Sequence, residues 1–263
     1  MATDAWDPTQ YERFKSERTA PFLDLLSLVQ VRSPARVVDL GCGTGELTAL
    51  MADQLEAGDV LGIDRSPAML ERAASQADGR LRFEQGDIGE FDGSEVDLIV
   101  ANASLQWLPD HRAALSRWAS ALGPGGEIAV QVPANVDHPS HTSAVEVASE
   151  SPFAESWGDW SPADPVRSVL SPAAYAELLY ELGFGEQHVR LQVYGHVLDS
   201  TGDVVEWLKG TSLTRFAARL SDDLYDEFVE RYRKRVLVQL GRRSPYFYAF
   251  QRILIWGRRT ISP

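Results

Sequence analysis

Three acids stand where short stretches that read as strands end. Val37-Val38 leads into Asp39, Val60-Leu61-Gly62-Ile63 into Asp64, and Phe83-Glu84-Gln85-Gly86 into Asp87, with Ile88 behind it. Asp39 is followed by Gly41, Gly43 and Gly45, then by Glu46 and a helical pattern of Leu47, Leu50, Met51 and Leu55. Glycine lets the backbone turn with positive φ and lie against a ligand. A dinucleotide loop, G-x-G-x-x-G, would want glycine where Glu46 stands. A carboxylate beside a pyrophosphate is repelled, whereas one beside an amino group or a sulfonium is favoured. The loop therefore calls for a ligand that is cationic near it. Asp64 lies 19 positions after Gly45, about the spacing at which an acid meets ribose hydroxyls. Each acid alone reads as a helix cap or a solvated turn. All three at successive strand ends read as a nucleoside site.

The elements that must position these acids are strands at 36–40, 59–63, 80–84, 97–102 and 126–131 with helices between them. A strand, a glycine turn and a helix form the first crossover of an open parallel sheet, whose strands bind ligands at their carboxyl ends. Ser66-Pro67 and Ser171-Pro172 each pair a capping serine with proline at the first helical position. A helix over 110–122 opens at Asp110 and ends before Gly123-Pro124-Gly125-Gly126, read as a turn into the fifth strand. Residues 1–30 form an amphipathic helical arm, with Tyr11, Phe14, Phe22, Leu25, Leu26 and Val29 at helical spacing. Pro21 is expected to break this arm into two helices. Residues 132–170, rich in proline, are expected to be irregular. Gln187–Tyr194 alternates as a strand, 202–240 is helical, and Tyr246–Trp256 is a last strand.

At 263 residues the chain suits one α/β domain with an appendage. No apolar run approaches the ~18 to 20 residues of a membrane span, and no signal peptide is expected. The single cysteine, Cys42, fits a reducing compartment, and its place in the glycine turn makes it a small residue that fits rather than a nucleophile. His138 and His141 lack acid or cysteine partners at a metal-binding spacing, so no metal is expected. A net charge of −13 argues against nucleic acid as the main partner. Residues 201–263 hold 12 Lys and Arg against 7 Asp and Glu. Arg231, Arg233, Lys234 and Arg235 there read either as a solvated helix face or as a basic cover over a site for an acidic small molecule.

Asp39-x-Gly41-x-Gly43-x-Gly45, Asp64 and Gly86-Asp87-Ile88 resemble the motifs of class I S-adenosylmethionine-dependent methyltransferases. A closer resemblance lies in Trp6-Asp7-Pro8 with Tyr11, Phe14 and Arg18, in Ala101-Asn102-Ala103-Ser104-Leu105-Gln106-Trp107-Leu108-Pro109-Asp110-His111, in Ala129-Val130-Gln131-Val132-Pro133 and in Phe250-Gln251-Arg252-Ile253-Leu254-Ile255. These look like trans-aconitate methyltransferases, over nearly the whole chain. Thr44-Gly45-Glu46 departs from the Pro-Gly-Asn often found in that family.

The resemblance implies a Rossmann-like α/β fold: a seven-stranded, mostly parallel sheet with helices on both faces. It implies an arm at 1–30, a core at 31–200 carrying an insertion at 132–170, a helical lid at 201–243 interrupting the last hairpin, and the last strand at 244–263. It also implies S-adenosylmethionine as cofactor, with S-adenosylhomocysteine as product. Asp39, Gly41, Gly43 and Gly45 would hold the methionine part, Asp64 the ribose, and Asp87 and Ile88 the adenine. Arg65 and Met69 would flank the cofactor, and Asn102, Ala103 and Trp107 would line the reacting end. The acceptor would be a small polycarboxylate, met by Arg18, Arg215 and Arg252, by Tyr11, Phe14 and Tyr248, and by the Trp107 wall. A carboxylate with a pKa near ~4 is already ionised, so no general base is expected; Trp107, Tyr11 and Arg18 would position the acceptor. The expected protein is cytoplasmic, bound to neither nucleic acid nor membrane, and a monomer or weak homo-oligomer. Three alternatives stay open: a different acid acceptor such as a carrier-bound malonyl group, a non-catalytic cofactor-binding protein, and a nicotinamide dehydrogenase, which Glu46 disfavours.

Overall fold

The computed structural model describes residues 15–31 and 35–260, with side chains from residue 19 onward. Tyr11 and Phe14 lie outside the described residues, and so does the side chain of Arg18. Contacts divide the chain into two compact units. One, the core unit, comprises Ser16–Ala134, Ser168–Gln192 and Gln251–Pro263; the other comprises Met1–Lys15, Asn135–Arg167 and Val193–Phe250. The boundary differs from the expected 31–200 core, because residues 135–167 belong with the helical segment rather than with the sheet.

The sheet has seven strands: β1 (Arg36–Leu40), β2 (Asp59–Asp64), β3 (Leu81–Gln85), β4 (Val96–Asn102), β5 (Leu122–Pro133), β6 (Phe184–Leu198) and β7 (Tyr246–Arg259). Their order is β3-β2-β1-β4-β5-β7-β6. β1 pairs in parallel with β2 and β4, β2 with β3, and β4 with β5, whereas β7 runs antiparallel to β5. The order reverses at β1, which leaves a crevice at the carboxyl ends of β1 and β4. This is the expected fold class. Buried strands of this kind read as continuous apolar runs because helices cover both faces.

Around the sheet lie α1 (Lys15–Leu26), α2 (Glu46–Gln54), α3 (Pro67–Ala73), α4 (His111–Ala121) and α6 (Pro172–Glu181); the second unit holds α5 (Pro139–Ala148), α7 (Asp203–Lys209), α8 (Thr214–Ala217) and α9 (Asp222–Leu240). The cap signals hold. Ser66 accepts a hydrogen bond from the Met69 amide, Asp110 from that of Ala113, and Ser171 from that of Ala174, each satisfying one of the orphan N–H groups that open a helix.

Three expectations need correction. Pro21 does not split the arm, but lies inside α1. An interior proline costs about 3 kcal/mol; burial of Phe22, Leu25 and Leu26 on the same helix offsets that, at roughly 1.5–3 kcal/mol each. Gly123-Pro124-Gly125-Gly126 is not a turn before the fifth strand. β5 already pairs at Leu122 with Val96, and its register shifts before Leu98 meets Glu127, with Gly125 at φ 73: a glycine-rich bulge inside one strand. Residues 132–170 are not wholly irregular, since Pro139 begins the ten-residue α5, capped by the His138 side chain.

The second unit has its own apolar cluster, including Phe153, Trp157, Trp207, Phe216, Phe228, Tyr232 and Tyr248. The basic residues of α9 do not form an open patch. Arg231 pairs with Glu227 and Glu150, Arg233 with Glu206, Lys234 with Glu230, and Arg235 with Glu150 and Glu146.

A glycine cradle and three strand-end acids

β1 delivers Asp39 into the protein interior, where it is 3 % exposed. Its Oδ2 accepts a 2.6 Å hydrogen bond from Thr48 Oγ1 on α2. Burial pushes the Asp39 carboxyl up to about 6; the Thr48 bond works against this, and the charge of Asp64 adds to it. A carboxylate kept ionised in a buried place at such a cost is a place for a cation, whose arrival would favour the ionised form.

The turn after β1 is fastened to β2. The Gly41 and Cys42 amides both donate to the Ile63 carbonyl, at 2.7 and 3.1 Å. Asp64 clamps the same turn from its side chain: Oδ2 accepts from the Gly43 amide and Oδ1 from the Ser66 amide, each at 2.9 Å. Gly41 has φ +90, and a Cβ there would stand 2.3 Å from Ser104 Cβ. Gly43 has φ +55 and nothing within 4 Å of where its Cβ would be. Packing thus requires glycine at 41, whereas at 43 the left-handed φ favours it and the space beside it stands open, a cradle that a side chain would fill. Cys42 is buried, and burial beside Asp39 and Asp64 pushes its thiol far up, which removes it as a nucleophile.

The third acid, Asp87, is exposed and caps the short turn Ile88–Glu90 by accepting from the Gly89 amide at 2.8 Å. The Ile88 carbonyl accepts from Trp118 Nε1 at 2.8 Å. Arg65 is exposed at the start of the α3 segment, while Met69 is buried in it. A cavity of about 310 Å³ lies along Val38, Leu61 and Ile63. Strand alternation puts these on the sheet face opposite Asp39; the lining also takes in Gly86 and Asp87 but none of Gly41, Gly43 and Gly45.

At the end of β4, Ala103 adopts φ 55. Its amide donates to the Gln131 carbonyl at 2.8 Å, and its carbonyl accepts from Gln106 Nε2 at 2.6 Å. A non-glycine residue in this conformation is costly and tends to mark a functional turn. Asn102 directly precedes it; its Oδ1 is shielded from solvent and has no hydrogen-bond partner among the described residues. Trp107 follows, half-buried in a short turn of helix.

The acceptor candidates divide between the units. Arg252, 5 % exposed, donates from Nη1 to Gln131 Oε1 at 2.7 Å in the core unit. Arg215 and Tyr248 belong to the second unit. Arg215 is 8 % exposed; it donates to the carbonyls of Ser212 and Ala163, and its Nη2 lies 3.8 Å from Asp164 Oδ2. Burial pulls its guanidinium down to about 10, leaving it charged at neutral pH. Tyr248 is fully buried, with its hydroxyl 3.3 Å from Ser140 Oγ. His138 caps α5 through Nδ1, and His141 Nδ1 is 2.9 Å from Asp164 Oδ2. Among the described residues no group of His, Cys, Asp and Glu could hold a metal.

Sequence reasoning gave no site role to Thr48, Ser104 or Gln131, although the last two stand in the stretches that carry the family resemblance. Thr48 shares the buried face of α2 with Met51 and Ala52, and Gln131 interrupts the apolar run from Ile128 to Val132. A lone polar residue in an apolar stripe was the available signal in both cases. Ser104 carried no such signal; its role, donating to the Leu40 carbonyl and filling the space over Gly41, is purely tertiary.

A family model described as a methyltransferase domain matches residues 32–181. The trans-aconitate 2-methyltransferase of Deinococcus radiodurans is 45 % identical over 257 residues, 97 % of this chain and 98 % of that protein. That of Acidovorax ebreus is 38 % identical over 260 residues, covering 97 % and 98 %. Among solved structures, the YcgJ protein of Bacillus subtilis superposes with a TM-score of 0.58 at 17 % identity, over 92 % of this chain and 98 % of that one. The last likeness concerns the fold; the sequence likenesses run nearly end to end. The chain belongs to the trans-aconitate 2-methyltransferase family, within the methyltransferase domain superfamily its core matches.

Proposed function

We propose that this protein is an S-adenosylmethionine-dependent carboxyl O-methyltransferase, forming a methyl ester on one carboxylate of trans-aconitate. The observation that carries this reading is the buried Asp39 carboxyl, raised to about 6 and so ionised at a cost at neutral pH, beside Asp64 at an open glycine cradle, on a chain 45 % identical to a trans-aconitate 2-methyltransferase. The residues present fit the cofactor: a carboxylate that welcomes a cation, an open turn, and ribose- and adenine-side acids at the next two strand ends.

When bound, S-adenosylmethionine supplies an electrophilic methyl group on a cationic sulfur. Asp39 accepts from the amino group of its methionine part, and Gly41, Gly43 and Gly45 let the backbone approach it. Asp64 takes the ribose hydroxyls with the lone pairs its backbone bonds leave over. Asp87 and Ile88 hold the adenine, flanked by Arg65 and Met69. Asn102, Ala103 and Trp107 line the reacting end. The acceptor carboxylate is already ionised at neutral pH, so no side chain has to remove a proton. A cationic donor and an anionic acceptor lose charge as they react, and a dry wall such as Trp107 favours that state over hydrated ions. The remaining work is alignment of oxygen, carbon and sulfur. The cations proposed for the unreacted carboxylates are Arg18, Arg215 and Arg252, and Tyr11, Phe14 and Tyr248 are the further acceptor contacts proposed; a guanidinium fork matches a carboxylate.

No helix among the described residues is long and apolar enough to cross a membrane, and we place the protein in the cytoplasm as a monomer or weak homo-oligomer. The test is a panel of small polycarboxylates, with trans-aconitate and carrier-bound malonate included, incubated with methyl-labelled cofactor. A monomethyl ester of trans-aconitate is the expected product by mass. Labelling of carrier-bound malonate alone, or of nothing, overturns the reading.

A further inference from the structure

We propose that Gln131 is an acceptor-binding residue: its side-chain amide N–H, aimed by Arg252, donates to the carboxylate that is methylated. This deepens the function proposed above and rests on it.

Asn102 on β4 and Gln131 on β5 are register partners, and Arg252 on β7 faces Pro133, two positions along β5. Strand alternation therefore puts all three side chains on one face of the sheet, at the carboxyl ends of β4 and β5, where open sheets of this kind take their ligands. Gln131 is fully buried. Its Oε1 accepts from Arg252 Nη1 at 2.7 Å. That bond fixes which end of the amide is which, because a guanidinium can only donate. Nε2 is left as a donor, and among the described residues it has no hydrogen-bond partner. The Gln131 backbone carbonyl meanwhile holds Ala103 in its left-handed turn. A buried amide donor left without an acceptor costs free energy, and such an atom at a ligand-binding edge is accounted for when the ligand supplies the acceptor.

The chemistry suits a neutral donor at this point. An arginine paired directly with the reacting carboxylate would stabilise its charge, which disappears on methylation, and so would favour the ground state over the transition state. An amide N–H orients the non-attacking oxygen and bonds equally well to the ester carbonyl formed. Toward the carboxylate that is methylated, as distinct from the unreacted ones, Arg252 acts as a positioning residue through Gln131.

Gln131→Glu separates this role from a structural one. A glutamate keeps the bond to Arg252, as an ion pair, but replaces the free donor with a negative oxygen facing the acceptor. The expected result is a rise of about 30-fold or more in KM for trans-aconitate, the size of losing a hydrogen bond to a charged group. Calorimetry of trans-aconitate binding to the S-adenosylhomocysteine-loaded protein should weaken in parallel, with S-adenosylhomocysteine affinity within about 3-fold and Tm not lowered. If the glutamate lowers Tm, Gln131→Asn, which withdraws the amide by one carbon, is read for the same split. A folded variant whose KM and acceptor binding stay within about 3-fold of wild type overturns the proposal. A wild-type protein that neither binds nor methylates trans-aconitate overturns the function it rests on, a distinguishable outcome.

Discussion

Asp39→Asn should make the free protein more stable while weakening its hold on the cofactor. Burial raises the Asp39 carboxyl from the ordinary 3.8 to about 6. Each pKa unit is ~1.4 kcal/mol, so keeping Asp39 ionised in the free protein costs about 3 kcal/mol. Because the folded chain holds this proton more tightly than the unfolded one, wild-type stability from this group is full below pH 4. It is lost as pH rises towards 6 and stays lost above. Asparagine never ionises, and its side-chain oxygen still accepts the bond that Thr48 gives to Asp39. The variant should therefore gain up to about 3 kcal/mol at pH 7.5 and nothing at pH 3.5. At ~2–4 °C per kcal/mol for a chain of this size, that is a rise in Tm of roughly 6–12 °C. Cofactor binding should move the other way. Losing a charge-assisted bond to an ammonium, at ~1.5–3 kcal/mol, weakens S-adenosylhomocysteine binding by about 10- to 150-fold. Wild-type affinity should also climb as pH rises through 6, whereas the variant's should not. Thermal melts of the free protein across pH 3.5–8 and calorimetry with S-adenosylhomocysteine measure both. An asparagine variant less stable than wild type at pH 7.5, or one that binds the product as tightly, refutes the assignment.

Other substitutions probe the same construction. Gly41→Ala forces a Cβ to within 2.3 Å of Ser104 at φ +90 and should cost about 3 kcal/mol or more, through strain and overpacking together; Gly43→Ala, with open space at φ +55, should melt within about 2 kcal/mol of wild type yet lose cofactor binding by calorimetry. Asp164→Ala strips the buried Arg215 of its carboxylate and should destabilise by roughly 3–5 kcal/mol in denaturant melts; a change below about 1 kcal/mol would show that the pair carries no such charge compensation. Arg18→Ala should raise the KM for the acceptor with little change in S-adenosylhomocysteine affinity, and equal loss of both would make Arg18 structural.

The sequence alone determined the sheet and the cofactor motif. β1, β2 and β4 are built on short apolar runs, the caps at Ser66, Asp110 and Ser171 obey local hydrogen-bond rules, and Gly41 and Gly45 stand where the backbone takes positive φ. These are short-range effects, set by side-chain type within a few residues. Local rules failed where distant contacts outweighed them: Pro21 stays helical because Phe22 and Leu25 are buried, and Gly123–Gly126 enters β5 because β4 offers it a partner. The basic run of α9 is neutralised in part by Glu227 and Glu230 one turn earlier on the same helix, which i,i+4 spacing foretells, and in part by glutamates on α5, on α7 and at Glu150, pairings that no spacing predicts. At the site, the sequence placed Asp39 at a strand end but could not give its protonation, which depends on burial and on Asp64 folding beside it. Nor could it single out Gln131, whose free N–H exists only because Arg252, 121 residues away, occupies the other end of the amide.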